Sequence, residues 1–303
     1  MPPSDDWRAA LAAVADAPVT VVIGASDAGK TTLVAALAGE LASRDTPVGV
    51  VDSDVGQSEI GPPTTVGLGR ISAPVSRLAE ATPVAFHFVG VSSPARDIAG
   101  VVEATRRMTV LAQTAHFERI LIDTSGLVAG WPGTLLKQRK IAAVDADLLL
   151  VLERGDECAP ILERYEGRSR PRVLRLAARG RPWSRSQTVR RRHRALAFER
   201  YLRGARILEL TRSAITLQTP RGIDALDAVG ALCGLEDAQG RTLALGVVED
   251  VSAMRLTVRA PSSRADAVAA LRIGRERSDG TPLAPAPDRR TSTPVGDGRD
   301  GAS

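Results

Sequence analysis

Cysteine, histidine and aromatic residues are scarce in this sequence. Its 303 residues include two cysteines, three histidines and 3% aromatic residues. Because Cys158 and Cys233 are far apart and neither belongs to a metal-ligand spacing, we expect no structural zinc site. Two cysteines also make no disulfide framework, which suits a reducing cytoplasm. With so few aromatic rings, Ala, Val and Leu must supply most of the core.

Long apolar runs and lysine are scarce as well. No stretch approaches the roughly 20 apolar residues that a membrane-spanning helix needs. Residues 1–18 carry early acidic residues and no long apolar run, so we expect neither a signal peptide nor a membrane partner. The chain has a net charge of +5, and among its 40 basic residues only Lys30, Lys137 and Lys140 are lysines. These features predict a basic, arginine-rich cytoplasmic protein.

Short apolar segments alternate with amphipathic ones over the first two hundred residues. The strand candidates are residues 19–24, 48–53, 85–90, 119–123, 148–152 and 172–176, and the helix candidates are residues 30–43 and 96–116. The strand segments are rich in Val, Ile and Leu, as expected for strands that are covered on both faces. The alternation predicts an α/β fold with a doubly wound, mostly parallel sheet over residues 1–205.

The pattern changes near residue 206. Shorter strands follow, and residues 242–251 and 253–260 have the pattern of an antiparallel pair. We therefore predict a small β-rich C-terminal domain over residues 206–277. Residues 278–303 are rich in Pro, Gly, Asp and Ser with almost nothing to bury, so we expect a disordered tail there.

A phosphate-binding motif follows the first strand candidate. Residues 24–31 match G-x-x-x-x-G-K-[ST] in full, between an apolar strand and a helix, so a P-loop NTPase fold that binds a nucleotide is indicated. Lys30 is the candidate catalytic cation for the outer phosphates, and the hydroxyl of Thr31 is the candidate Mg²⁺ ligand. The predicted nucleotide-binding residues are Gly24, Ala25, Ser26, Asp27, Ala28, Gly29, Lys30, Thr31 and Thr32.

Two carboxylates mark the end of the second strand candidate. Asp52 and Asp54 stand at i and i+2, so on a strand both side chains would point the same way, and here they lie at the carboxyl edge of the sheet, where ligands bind. One can hold the metal, and the other can take a proton from an attacking hydroxyl. Residues 123–126 also match the D-x-x-G element of GTPases. A GTP-driven metallochaperone or regulatory switch is disfavoured, because the later strands contain no Asn-Lys-x-Asp sequence to recognise guanine.

Four ordered segments, residues 21–33, 50–69, 121–136 and 185–204, together resemble the polynucleotide 5′-hydroxyl kinase family. The resemblance implies transfer of the ATP γ-phosphate to the 5′-OH end of a nucleic acid, RNA more readily than DNA. It makes Asp54 the Mg²⁺ ligand and base, Asp52 its companion and Gln57 the family's glutamine. Thr124 and Gly126 fall in its clasp over nucleotide and acceptor. Its catalytic lid arginines, within residues 183–204, match Arg185 and Arg190, and Arg194 lies one helical turn further.

The chain departs from the family at the clasp. Leu127 stands where many relatives have tryptophan, and Ala129 stands where they have lysine. Trp131 and Trp183 are therefore the candidates to stack on the terminal base.

Residues 164–206 contain fifteen arginines and two glutamates. Such a run is either a solvated face or a segment that touches both ATP and polynucleotide. The same resemblance leaves a second function open, a non-catalytic ATP-binding adaptor in RNA processing. The sequence identifies no protein partner.

Overall fold

The computed structural model describes residues 5–44, 46–178, 186–262, 264–279 and 281–283. The helices are α1 Asp5–Asp16, α2 Lys30–Ala42, α3 Ile98–Thr114, α4 Gly130–Ala143, α5 Ala159–Leu162 and α6 Gln187–Tyr201. The strands are β1 Val19–Gly24, β2 Val48–Ser53, β3 Thr65–Ile71, β4 Thr82–Phe88, β5 Arg119–Thr124, β6 Leu148–Glu153, β7 Arg172–Ala177, β8 Arg206–Thr211, β9 Thr216–Gln218, β10 Ala231–Glu236, β11 Thr242–Val251, β12 Arg255–Ala260 and β13 Ala270–Arg277. Among the described residues, no helix combines the length and apolarity that a membrane crossing requires.

A seven-stranded sheet forms the centre of the larger domain, with the order β4-β3-β2-β5-β1-β6-β7. Strands β2, β5, β1, β6 and β7 pair in parallel, whereas β3 and β4 add an antiparallel edge. One core lies between the sheet and α3 and α4, and a second lies between the sheet and α1 and α2. The predicted doubly wound, mostly parallel sheet is therefore confirmed. The carboxyl ends of β1, β2 and β5 meet at one edge of this sheet.

The antiparallel edge was not predicted. The strand candidate at residues 85–90 is β4, which runs antiparallel, and β3 was missed because Gly67 and Gly69 weaken its strand pattern. The structure shows why a glycine stands there. A Cβ at Gly67 would overlap the carbonyl of Ile60, so the loop after β2 lies directly against this strand. The helices α1 and α4 were also missed.

The smaller domain contains a six-stranded sheet with the order β8-β12-β11-β10-β13-β9. Its β11 and β12 form the antiparallel pair that the sequence predicted. It contacts the larger domain through a cluster that includes Phe88, Phe198 and Leu245. The predicted tail is described only up to Leu283, which is buried in the core of the smaller domain. Residues 284–303 lie outside the described part of the chain.

His87 on β4 makes the stability of the fold sensitive to acid. It is buried, and burial lowers its pKa from 6.5 to about 4, with the charges of Arg107 and Arg272 lowering it further and Glu103 opposing them. Since the folded-state pKa lies below the unfolded value, the unfolded chain takes up the proton first, and stability is lost as pH falls from 6.5 toward 4. From this residue we expect the free energy of unfolding to be about 2 kcal/mol lower at pH 5 than at pH 7.5.

Urea unfolding at the two pH values, for the wild type and His87→Gln, measures this contribution. The glutamine variant should lose about 2 kcal/mol less than the wild type between pH 7.5 and pH 5. His116→Gln is the matched control, because His116 is exposed. An equal acid-induced loss in the wild type and His87→Gln would contradict the prediction.

Candidate active site

The loop between β1 and α2 has the backbone conformation of a phosphate-binding loop. Asp27 and Gly29 adopt left-handed conformations, with φ of 58° and 95°. A Cβ at Gly24 would overlap the carbonyl of Leu152, so the loop needs glycine there to pack against β6. Successive turns of this kind direct main-chain N–H groups to one side, toward the N-terminus of α2. The predicted loop from Gly24 to Thr31 therefore forms an anion-binding cradle.

The side chain of Lys30 folds back over this loop. It is 6% exposed, and its Nζ donates a hydrogen bond of 2.7 Å to the carbonyl of Ala25. Burial lowers the pKa of Lys30, whereas the negative charges of Asp123, Asp54 and Asp27 oppose that shift. The ammonium group is thus held above the cradle, where it can exchange the carbonyl for a phosphate oxygen.

Thr31 is paired with a carboxylate that was not among the predicted site residues. Its Oγ1 donates a 2.6 Å hydrogen bond to Oδ2 of Asp123, at the end of β5. The other oxygen, Oδ1 of Asp123, is buried and has no partner among the described residues. Burial raises the pKa of Asp123 to about 6, although Thr31 and Lys30 oppose the shift. The signal was present in the sequence, because Asp123 ends an apolar strand.

Asp52 has a different task from the metal-ligand role predicted for it. Its carboxylate is 2% exposed and accepts hydrogen bonds from the N–H groups of Asp54, Glu59 and Ile60 and from the hydroxyl of Ser58. Burial and the charge of Asp123 raise its pKa to about 7, while the bonds from the loop oppose that shift. Asp52 does not line the cleft. It holds the loop of residues 54–60, and that loop carries the second aspartate.

Asp54 follows β2 and is half-buried in the cleft wall. Its Oδ1 accepts hydrogen bonds from the N–H groups of Gly56 and Gln57, at 3.0 and 3.2 Å. Gln57, which the resemblance matches to the family's glutamine, lines the same cleft. The two aspartates that the sequence presented as a pair therefore separate, and only Asp54 faces the open space.

The predicted clasp residues lie against the phosphate-binding loop. Thr124 Oγ1 donates to the carbonyl of Val22 at 2.7 Å, and a Cβ at Gly126 would overlap Ser26. Below them, α4 contributes two lysines that were not among the predicted site residues. Lys137 donates to Thr124 Oγ1 at 2.7 Å and to the carbonyl of Ser125. The scarcity of lysine in an arginine-rich chain could have identified Lys137 and Lys140, as it did Lys30.

Lys140, the second of these lysines, lies one helical turn beyond Lys137 and is fully buried. Its Nζ donates to the carbonyl of Ser53 at 3.3 Å and to the hydroxyl of the same residue. Burial lowers the pKa of Lys140 to about 8, and the nearby carboxylates, Asp54 first, oppose that shift.

Helix α6 closes one side of the cleft with arginines. Nη2 of Arg190 lies 3.9 Å from Oδ2 of Asp27 in the phosphate-binding loop. Arg194 lines the cleft, together with His193 and Arg200. The Nε atoms of Arg190 and Arg194 are buried without a hydrogen-bond partner among the described residues. The helix begins at Gln187, after the side chain of Ser186 accepts a hydrogen bond from the N–H of Val189. Arg185 and Trp183 lie outside the described residues.

The rest of the arginine-rich segment lies elsewhere. Arg170 pairs with Asp145 and Asp147 at 3.2 and 2.9 Å, at the edge of the sheet opposite the cleft. Arg172 donates to the carbonyl of Ala13. Among the described residues of this arginine-rich segment, only those of α6 lie beside the phosphate-binding loop. The arginines that precede α6 contact other parts of the larger domain.

Of the two tryptophans considered for base stacking, the structure describes only Trp131, and Trp131 does not face the cleft. Trp131 is 72% exposed and does not line the cleft, and Leu127 packs against the core beside α3 and α4. The stacking role predicted for Trp131 therefore finds no support in this arrangement.

A polar cleft of about 570 Å³ connects these elements. It is lined by the phosphate-binding loop, the loop of residues 54–59, the clasp, α6 and Arg77. Its residues are Ser26, Asp27, Gly29, Lys30, Thr31, Thr32, Asp54, Gly56, Gln57, Ser58, Glu59, Pro63, Ser76, Arg77, Thr124, Gly126, His193, Arg194, Ala197 and Arg200. The arrangement can hold a phosphate chain at one end and a second molecule beside Asp54.

Comparisons with known proteins match this part of the chain. The family model described as mRNA cleavage and polyadenylation factor CLP1 P-loop matches residues 24–204. A polyribonucleotide 5′-hydroxyl-kinase of Pyrococcus horikoshii is 39% identical over 192 residues, which cover 63% of this chain and 52% of that protein. One of Methanocaldococcus jannaschii is 32% identical over 190 residues, with the same coverage. The matching stretch thus spans about half the length of these relatives.

A solved structure, the wild-type Clp1p–Pcf11p complex, is similar in fold. It superposes with a TM-score of 0.68 at 14% identity, and the match covers 86% of this chain and 74% of that one.

The contact between Gly126 and Ser26 predicts a specific sensitivity of nucleotide binding. In Gly126→Ala the new methyl group must displace the phosphate-binding loop, since the loop main chain lies against it. We expect the affinity for ATP, measured by titration calorimetry, to fall about tenfold or more. Gly155→Ala is the matched control, because its Cβ would meet only Glu157 at 3.7 Å and should leave affinity unchanged. Unaltered ATP affinity in Gly126→Ala, with both variants folded, would separate the clasp from the nucleotide site.

Proposed function

Since the chain belongs to the CLP1 P-loop family, we propose that it is an ATP-dependent polynucleotide 5′-hydroxyl kinase. It transfers the γ-phosphate of ATP to the 5′-OH end of a polynucleotide, with RNA preferred over DNA. The names of the relatives support the polyribonucleotide acceptor. The observation that carries the proposal is the placement of Asp54 in the same cleft as Lys30 and Thr31. A GTP-driven switch protein needs the nucleotide site, but it does not need a carboxylate such as that of Asp54 facing the place of an acceptor.

The phosphate chain of ATP binds in the cradle formed by residues 24–31. The main-chain N–H groups and the N-terminus of α2 receive the phosphate oxygens. Lys30 exchanges its bond to Ala25 for the outer phosphates, and its charge offsets the charge of the transferring group. Arg190 reaches the loop from the other side and supports the same group. Arg185 keeps the lid role expected from the family resemblance.

The residues present fit a Mg²⁺ ion beside the phosphates. Thr31, Asp54 and Asp123 provide hydroxyl and carboxylate oxygens, which are the ligands that Mg²⁺ prefers. The unpaired, buried Oδ1 of Asp123 supports this fit, since a buried carboxylate oxygen requires a partner. When bound, the ion supplies positive charge to the β- and γ-phosphates.

Asp54 acts on the acceptor. The proton of the 5′-hydroxyl passes to a carboxylate oxygen of Asp54 as that hydroxyl attacks the γ-phosphorus, the bond from the γ-phosphorus to the bridging oxygen of the β-phosphate breaks, and ADP leaves. The N–H groups of Gly56 and Gln57 fix the orientation of the carboxylate through Oδ1. Arg77 and Arg200, at the outer part of the cleft, carry the charge that attracts the phosphates following the terminal nucleoside.

The experiment that tests the function uses labelled ATP and oligonucleotides of one sequence with 5′-OH ends. We expect label transfer to RNA, less to DNA, and none to an oligonucleotide whose 5′ end is already phosphorylated. Asp54→Asn should lower kcat about hundredfold or more, because the amide cannot accept the proton, whereas ATP affinity should change far less. Arg170→Ala is the control at the opposite edge of the sheet. Equal losses of turnover and ATP affinity in Asp54→Asn would make Asp54 a binding group only.

Wild-type protein that binds ATP without phosphorylating any 5′-OH oligonucleotide would favour the other reading of the sequence, an ATP-binding adaptor in RNA processing. A free nucleoside phosphorylated as well as the oligonucleotide would instead place the protein among small-molecule kinases.

The arginine contacts of α6 generate a second kinetic prediction. If Arg190 acts on the transferring phosphoryl group, its contribution strengthens in the transition state and must appear in kcat. Arg190→Ala should lower kcat about hundredfold and change the KM for the oligonucleotide only slightly. Arg192→Ala is the matched control, since Arg192 is exposed on the same helix and does not line the cleft. If both variants only raise the KM for the oligonucleotide, α6 is a general basic surface and not part of the catalytic apparatus.

A further inference from the structure

Lys140 is a buried cation for which the proposed reaction has so far given no task. It projects from α4 under the carboxyl edge of the sheet and is fully buried. Its Nζ donates to the carbonyl and to the hydroxyl of Ser53, the residue that joins Asp52 to Asp54. The Ser53 carbonyl belongs to the peptide unit that carries the N–H of Asp54, so this contact fixes the plane of that peptide.

Packing alone does not account for a lysine at this position. Burial of an ammonium group is unfavourable before its contacts are formed, and an apolar side chain of similar length would fill the same space without that desolvation. The chain uses arginine for nearly all its positive charges, and its other two lysines, Lys30 and Lys137, also lie in this site. A slim cation with a terminal donor is the type of group that can reach a strand end from beneath.

The charges around Lys140 point to the same residue. Among the charges around the ammonium group, that of Asp54 raises its pKa the most, followed by those of Asp123 and Asp52. Lys140 thus contacts the main chain just before Asp54 and attracts its carboxylate. Asp52 fixes the same stretch from the other side, through the N–H groups of Asp54, Glu59 and Ile60.

We propose that Lys140 is a positioning residue for phosphoryl transfer, which holds the Ser53–Asp54 peptide so that the Asp54 carboxylate faces the acceptor hydroxyl. The inference rests on the proposed function, because it assigns Asp54 to the acceptor. It adds a residue of α4 that does not itself line the cleft. A displacement of about 1 Å at the reacting group is enough to cost about a hundredfold in rate, so the support of Asp54 matters as much as its presence.

The kinetic test is a double-mutant cycle between Lys140 and Asp54. Lys140→Met keeps the length of the side chain and removes the charge and the donor. We expect it to lower kcat at least tenfold, with ATP affinity changed less than about threefold, since the phosphate cradle stays intact. In an Asp54→Asn background, Lys140→Met should have almost no further effect, because the group that it positions is already lost. Two independent, multiplying losses would overturn the proposal.

Gln138→Met is the matched control on the same helix. Its side-chain amide bonds to the carbonyls of Pro160 and Ile161, away from the acidic loop, so kcat should stay within about twofold of the wild type. Thermal unfolding of both variants separates positioning from stability. A lowered melting temperature of Lys140→Met with an unchanged kcat would make Lys140 a structural residue only and would overturn the proposal.

Hydrogen exchange of residues 53–57 gives a readout that does not depend on catalysis. Faster exchange there in Lys140→Met, with unchanged exchange in β6 and α2, is expected, and unchanged exchange at 53–57 would overturn the inference. If Lys140→Met does not fold, Ser53→Ala removes one of the two acceptors and should lower kcat in the same direction by a smaller factor. Wild-type protein without transfer activity would refute the proposed function, whereas the exchange measurement would still decide whether Lys140 holds the loop.

Discussion

Three lysines and three aspartates meet at the carboxyl ends of β1, β2 and β5, and the loops that line the cleft are held by hydrogen bonds to these side chains. An unpaired charge at such depth would cost several kcal/mol, so each group needs a partner that stays in place. The ammonium groups meet this need while they donate to main-chain carbonyls of the loops above them. The same three side chains therefore position the loops through hydrogen bonds and interact electrostatically with the nearby carboxylates.

The parts of the site that local sequence determines were predictable. Residues 24–31 needed only their own glycines, lysine and threonine between a strand and a helix, and the structure has this loop where the motif placed it. The alternation of apolar segments likewise predicted the parallel sheet, and the shorter strand segments after residue 206 predicted the separate β-rich domain. In each case the information lies within a few residues of the element concerned.

What the sequence could not supply depends on contacts between distant residues. Asp52 looked equivalent to Asp54 until the loop that follows returned to bind it through residues 58–60. Glycines made β3 a weak strand candidate. One of them, Gly67, is needed because a larger side chain would overlap the carbonyl of Ile60. Lys140 lies on a helix far along the chain from Asp52 and Asp54, and the sheet order brings it beneath Ser53, while Lys137 on the same helix contacts Thr124. The spacing of residues along the chain does not indicate contacts of this kind.

The burial of every lysine also shapes how the protein responds to covalent chemistry. All three lysines lie within the described residues, and none is more than 6% exposed. The basic side chains on the surface of the described protein are therefore arginines. Reagents that acylate side-chain amines, and cross-linkers that join them, will find almost nothing to react with on the outside of the folded protein. A nucleotide that carries an acylating group on its terminal phosphate would deliver it to Lys30 alone. One modified amine would then report occupancy of the cleft in a mixture of intact proteins.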